Sequence, residues 1–163
     1  MSIVSLRIDN RLLHGIVATQ WAPLITPSRI MVIDNEVADD AMLKNSMRLG
    51  KPAGMALSII NESVALDHFS KHMYDSQKVF VIVRHPQIIL NMLNSGLEIP
   101  SITLGGTVSP DDLNSAIKIS SRAYITQAEL PIYEAILESG TPIFSQYVPS
   151  DKAIDVSTVI KES

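Results

Sequence analysis

Short apolar runs alternate along this chain with longer stretches of helical period. Strands are predicted near 3–8 (IVSLRI), 29–34 (RIMVID), 56–60 (ALSII), 78–84 (KVFVIVR), 101–104 (SITL), 122–126 (RAYIT) and 143–147 (IFSQY). The run VFVIV is continuous, β-branched and aromatic, the pattern of a strand covered on both faces. Helices are predicted between the strands. The first follows His14 and stops near Pro23. The second runs from about Val37 to Leu49, with Asp39 and Asp40 near its start and Gly50 beyond its end. A third begins after Asn61, which caps it together with or instead of Ser63. A fourth starts at Pro86 and ends at Gly96, and a fifth follows Ser109-Pro110-Asp111-Asp112. A sixth covers about Glu129 to Ser139. Acidic residues early, proline at the first position and glycine after the end are the signals used.

Strands separated by helices of about 10–15 residues imply βαβ units with right-handed crossovers. The expected fold is therefore α/β: one open, mostly parallel twisted sheet of about seven strands with helices on both faces. The 163 residues suit a single domain spanning 1–163. The tail after Pro149 is weakly patterned and reads as a short docking element.

Composition narrows the function. The chain is 46% hydrophobic and 18% charged, which indicates a folded core. Thirteen Lys and Arg against seventeen Asp and Glu give a net charge of −4, and there is no basic run, so nucleic acid is not an expected partner. The absence of cysteine excludes disulfides, zinc–thiolate sites and thiol chemistry. No stretch reaches the roughly 18 apolar residues of a membrane span, and the N-terminal MSIVSLRIDNR lacks the apolar centre of a signal peptide. The expected location is the cytoplasm, with membrane association only through partners.

In an open α/β sheet, ligands bind beyond the carboxyl ends of the strands. Asp9, Asn10, Arg11 and His14 follow the first strand, Asp34, Asn35 and Glu36 the second, Arg84, His85 and Pro86 the fourth, and Gly105, Gly106 and Thr107 the fifth. No GxGxxG follows the first strand and no GxxxxGK[ST] occurs, which argues against the familiar nucleotide sites.

His14 is the sharpest candidate. It precedes a helix start, where free N–H groups favour an anion, and Gly15 follows it. Arg11 offers a planar fork of donors for phosphate oxygens, and a neutral imidazole is a nucleophile at cellular pH. One reading is a phosphohistidine site; the other is a loop histidine satisfied by a backbone carbonyl. Arg7, inside the strand pattern, either pairs with a carboxylate or leans over the sheet edge. Asp9 and Asn10 either form a turn, as Asx residues do, or Asp9 holds Arg11 in place. Gly105-Gly106 is either a tight turn or a backbone wall close to a phosphoryl group. Asp34 and Glu36 are read as a carboxylate pair too sparse for a metal, with Glu36 alternatively serving the next helix. Arg84-His85 either adds positive charge to the rim or solvates a loop. His68 and His72 sit four apart in HFSKH, without the glutamate of HExxH, and read as a solvated face. No metal is expected.

The segment RIDNRLLHGIVATQW resembles the phosphorylation segment of the IIB components of the mannose/fructose/sorbose family of the sugar phosphotransferase system (PTS), through Arg7, Ile8, Asp9, Asn10, Arg11, Leu12, His14, Gly15, Val17 and Trp21. The similarity continues through residues 29–59 and into the loop near Gly105. It implies that a IIA protein donates a phosphoryl group to His14, at Nδ1, and that the group passes to a sugar held by the membrane IIC and IID components. It implies further that Arg11 stabilises the transferred charge, that Arg7 and Asp9 assist, and that no cofactor is used. Overall similarity leans toward an amino sugar, within a range that includes mannose, fructose and sorbose. Two positions depart from the family pattern: Ile16 where Gln is usual, and Thr107 where Met is more common. Two competing functions are a non-catalytic flavodoxin-like module binding a phosphorylated ligand, and a phosphoester hydrolase using His14 as transient nucleophile. The phosphocarrier reading requires the His14 ring to be reachable from outside and surrounded by groups that welcome dianionic oxygen.

Overall fold

A computed structural model describes residues 2–163. Seven strands form one sheet: β1 (Ile3–Ile8), β2 (Arg29–Ile33), β3 (Ala56–Ile60), β4 (Val79–Val83), β5 (Ile102–Leu104), β8 (Ile143–Ser145) and β9 (Ile154–Asp155). Their order is β3-β2-β4-β1-β5-β8-β9. All neighbours pair in parallel except β8 and β9. The VFVIV run is β4, buried at every position between β1 and β2. The remaining strands, β6 (Ala116–Lys118) and β7 (Tyr124–Thr126), form a separate antiparallel hairpin.

The helices divide between the two faces. On one side lie α3 (Glu62–Ser70), α4 (Pro86–Asn94), α5 (Leu130–Glu138) and α6 (Val156–Glu162), packed on Leu6, Ile8, Val81 and Val83. On the other lie the segment after β1 and α2 (Ala41–Leu49), whose Val17, Trp21 and Met47 pack on Ile30, Val32, Phe80 and Ile82. The chain leaving β1 crosses β4 to reach β2, whereas the chain leaving β4 crosses β1 to reach β5. Right-handed crossovers in opposite directions lie on opposite faces, so a crevice opens at the carboxyl end of β1. The loop carrying His14 emerges there.

Several predicted elements change form. The first helix does not stop at Pro23. A π-helical turn over Val17–Trp21 runs directly into α1 (Ala22–Ile25), and the wider turn accommodates a proline that has no N–H to give. The helix stops at Thr26, which adopts φ 52° ahead of Pro27. The predicted second helix divides into a 3-10 turn at Val37–Asp39 and α2, because Asp40 is extended and caps Met42 N and Leu43 N.

The predicted fifth helix is absent. Asp112 caps only a 3-10 turn at Leu113–Ser115, and Ile117 and Ile119 then alternate as in a strand. Residues 122–126 pair with that strand and do not join the main sheet. The tail supplies the seventh main-sheet strand instead: β9 pairs with β8, and Val156 of α6 enters the core.

The Asp40 cap is exposed, so its removal tests local helix energetics with little else changed. Asp40→Ala is expected to lower unfolding free energy by about 1 kcal/mol, measured as a shifted midpoint at constant slope in urea unfolding.

Candidate active site

The loop after β1 is built around Asp9, which is fully buried. Its Oδ2 accepts from Arg7 Nε at 3.1 Å and its Oδ1 accepts from the Arg11 backbone N–H at 3.0 Å. Leu12 N donates to Asp9 O, closing a turn in which Leu12 takes φ 57°. A left-handed leucine is strained, and burial of its side chain among Val17, Trp21 and Ile30 offsets the strain. Asp9 therefore makes the turn and anchors the backbone of Arg11, while the exposed Arg11 side chain makes no hydrogen bond among the described residues.

Among the described residues Arg7 is the largest fully buried side chain. Its guanidinium donates to Asp9, to Gln146 O at 3.1 Å and to Tyr147 O at 2.9 Å, and lies 5.0 Å from the centre of the Trp21 ring. Trp21 Nε1 donates to the same Tyr147 carbonyl at 2.8 Å. Of the two readings of Arg7, pairing with a carboxylate is the one the structure shows. Burial lowers its pKa, and Asp9 opposes that shift. Burial disfavours the ionised form of Asp9 as well, but His14, the Arg11 N–H and Arg7 outweigh it, and its pKa lies below the ordinary carboxylate value.

The Gly105-Gly106 pair does not form an open wall. A Cβ on Gly105 would collide with the Arg7 guanidinium, so the missing side chain is what lets Arg7 lie flat against β5. Gly106 packs against Asn10 Oδ1 and Tyr147, and its carbonyl accepts from Asn10 N at 2.9 Å. A Cβ on Gly15, by contrast, would meet nothing within 4 Å; open space lies beside the His14 backbone.

The His14 ring is turned inward, contrary to the expected exposed ring. Its side chain is 7% exposed, with Nε2 3.1 Å from Asp9 Oδ2. The atoms are close but not aligned for a hydrogen bond, and both ring nitrogens are buried without one. His14 is thus not a loop histidine satisfied by a carbonyl. The cause of the inward turn is Asp9, whose carboxylate attracts the ring once Arg7 has fixed it. Ahead of the ring, the N–H groups of Gly15 and Ile16 start a helical segment and donate to no atom among the described residues.

The other rim residues fall into different roles. Asp34 is not half of a metal pair: both its oxygens accept from Arg84 at 2.8 Å, and Oδ2 also accepts from Val37 N. Sequence reasoning missed this pairing because the partners lie 50 residues apart. His85 stays exposed, 3.8 Å from Asp34. His68 bonds Tyr74 and His72 lies beside Asp75, so the two histidines share no ligand site. Among the described residues no group of three or more metal-ligating side chains occurs. Ile16 packs on the core beside Val17. Thr107 donates its N–H to Arg122 O and accepts from Tyr124 N, stitching the hairpin to β5.

Gly105→Ala is expected to lower unfolding free energy by about 2–3 kcal/mol, read by urea unfolding, by displacing the Arg7 fork. Because the Asp9 pKa is depressed, its ionisation stabilises the fold above the ordinary carboxylate value, and that contribution fades as pH falls through the lower folded value. Thermal midpoints should hold from neutrality to about pH 4 and then decline. Asp9→Asn should start lower at neutrality and decline less steeply, as scanning calorimetry across pH would show.

The chain resembles known proteins along its whole length. It is 24% identical to the sorbose-specific EIIB component of Klebsiella pneumoniae, covering 100% of this chain and 98% of that one. It is 24% identical to the fructose-specific EIIB component of Bacillus subtilis, covering 99% and 97%. With the N-acetylgalactosamine-specific IIB component 1 of Escherichia coli it shares 27%, over 93% and 94%. The fold matches the crystal structure of the IIB domain of the Klebsiella sorbose permease with a TM-score of 0.91 over 100% of this chain and 98% of that one, at 23% identity. Residues 3–163 match the family described as PTS system sorbose subfamily IIB component, and the chain belongs to that family.

Proposed function

We propose that this IIB phosphocarrier takes its phosphoryl group on His14 Nδ1. The observation that carries the reading is the unsatisfied ring: a buried imidazole with one nitrogen against a carboxylate and the other without any hydrogen bond. An ionised Asp9 facing Nε2 favours the tautomer with the proton on Nε2, which leaves the Nδ1 lone pair free. Asp9 acts as a positioning residue and does not touch the reacting atoms.

In transfer, Nδ1 bonds to phosphorus as the donor's nitrogen–phosphorus bond breaks. The His14 ring enters neutral and becomes positively charged, a charge that the bound phosphoryl oxygens offset. Arg11 and the N–H groups of Gly15 and Ile16 receive the phosphoryl oxygens. In the second transfer a sugar hydroxyl oxygen attacks phosphorus, the His14 nitrogen leaves with its electron pair, and the hydroxyl proton goes to solvent. Both steps need the ring to turn outward from Asp9, and the open space beside Gly15 gives it room. The donor is a phosphorylated IIA protein, and the acceptor sugar is presented by the IIC and IID components. The sugar itself is left unassigned, since relatives named for sorbose, fructose and N-acetylgalactosamine are similarly distant.

The test is incubation with the general PTS proteins, a IIA donor and labelled phosphoenolpyruvate. Acid-labile, base-stable label is expected on the wild type and none on His14→Ala; label persisting in that variant overturns the assignment. Arg11→Ala should slow transfer by about 100-fold while its unfolding free energy stays within about 0.5 kcal/mol of wild type. A large stability loss there would assign Arg11 to the fold instead.

A further inference from the structure

Phosphoryl transfer at His14 leaves unused a polar cleft on the same rim. It has a volume of about 560 Å³, in the range of small-molecule sites. Asn10, four residues before His14, lines it together with Tyr124 of β7 and with Glu129 and Tyr133 at the start of α5. Tyr133 is the informative group. The residue as a whole is 1% exposed, yet it lines the cleft, and its hydroxyl is not among the buried polar atoms left without a partner. A tyrosine with a buried ring and a reachable O–H presents that O–H to whatever fills the cleft. Burial, with Glu129 nearby, pushes its pKa up, so the hydroxyl stays protonated. It is a fixed donor and acceptor in the wall of a cleft.

The charges of the cleft select among ligands. Glu36, Asp111 and Glu129 line it against Arg84 and the imidazole of His85; both oxygens of Asp34 engage the Arg84 guanidinium, and Glu129 accepts from the Thr126 hydroxyl. An anion entering this lining meets net repulsion. A neutral ring carrying several hydroxyls does not: its O–H groups donate to the carboxylates, and its oxygens accept from Tyr133 and from the Asn10 amide. We propose that this cleft binds a neutral monosaccharide in preference to its phosphate ester. Resting on the phosphocarrier reading, it follows that the IIB subunit helps to hold the acceptor sugar on the rim from which the His14 loop emerges, and that phosphorylation converts the ligand into one the carboxylates expel.

Binding is read without any phosphoryl donor, so its failure is separable from a failure of His14 to accept label. Isotope-labelled protein is titrated with mannose, fructose, sorbose and N-acetylgalactosamine, and with hexose phosphates, while amide chemical shifts are followed. Saturable shifts are expected at Asn10, Tyr124 and Tyr133 with at least one neutral sugar, with about 10-fold weaker binding of the ester. Tyr133→Phe and Glu129→Gln, checked for native spectra, should each raise Kd about 5-fold. The proposal is overturned by absence of saturable cleft shifts, by esters binding as well as neutral sugars, or by both variants binding like wild type. Cleft shifts that arise only with a membrane partner would identify a protein segment as the occupant and overturn it as well.

Discussion

The buried pair of Arg7 and Asp9 holds the rim at the carboxyl end of β1 together. Each charge taken from water costs several kcal/mol, recovered only when geometry and further hydrogen bonds are good. Here they are. The guanidinium is engaged at Nε, at both terminal nitrogens and on its face, by Asp9, two carbonyls and an indole. The carboxylate accepts from Arg7 on one oxygen and from Arg11 N–H on the other. Because Gln146 and Tyr147 lie about 140 residues away from Arg7 in sequence, this cluster joins the first strand to the end of β8. Removing either ion would leave the other buried and unpaired, which is far more damaging than never having had the pair.

That arrangement also determines what the His14 loop is able to do. Asp9 dictates the turn through its carbonyl and both carboxylate oxygens, and the left-handed Leu12 is held by burial on the opposite side from the rim's solvent. The backbone at His14 is consequently fixed while the ring has no hydrogen bond to lose. A rigid base with a ring held by a single contact to Asp9 suits a carrier, which must meet two different partners from one position. A ring anchored by two good hydrogen bonds would have to break both at each encounter.

Much of the architecture was legible in the sequence because it rests on local pattern. VFVIV, the alternation of strands and helices, and the Asn61, Pro86 and Gly96 signals all translate directly into the sheet and its helices. The failures share a cause: competition between local signals. Ser109-Pro110-Asp111-Asp112 is a sound helix start, but the period-two isoleucines that follow belong to a hairpin. The tail has too few apolar residues to announce a strand, and β9 forms because β8 offers an open edge. At the site, the histidine, its arginine and the aspartate are adjacent in the chain and could be read together. The glycine at 105 could not, since its reason is the Arg7 side chain, and neither could the Asp34–Arg84 pair. Contacts of that kind depend on which strands become neighbours, and the order β4-β1-β5 is not written in any one segment.

Under the proposal that His14 carries the phosphoryl group, its inward turn has a consequence. A phosphohistidine exposed continuously to water loses its group to the wrong acceptor, whereas one held permanently inside never meets its sugar. Electrostatics separates the two situations. The neutral ring is drawn to Asp9, but a ring bearing a dianionic phosphoryl group carries that charge toward the same buried carboxylate if it turns inward with its load. Repulsion in a poorly solvated site then favours the outward position, where Arg11 and the helix-start N–H groups are available. On the proposed phosphocarrier reading, the charge state of the ring, and not a separate moving lid, would set whether His14 faces the protein or its partner. Asp9 contributes in both states: by attraction before the phosphoryl group arrives, and by repulsion of its oxygens afterwards.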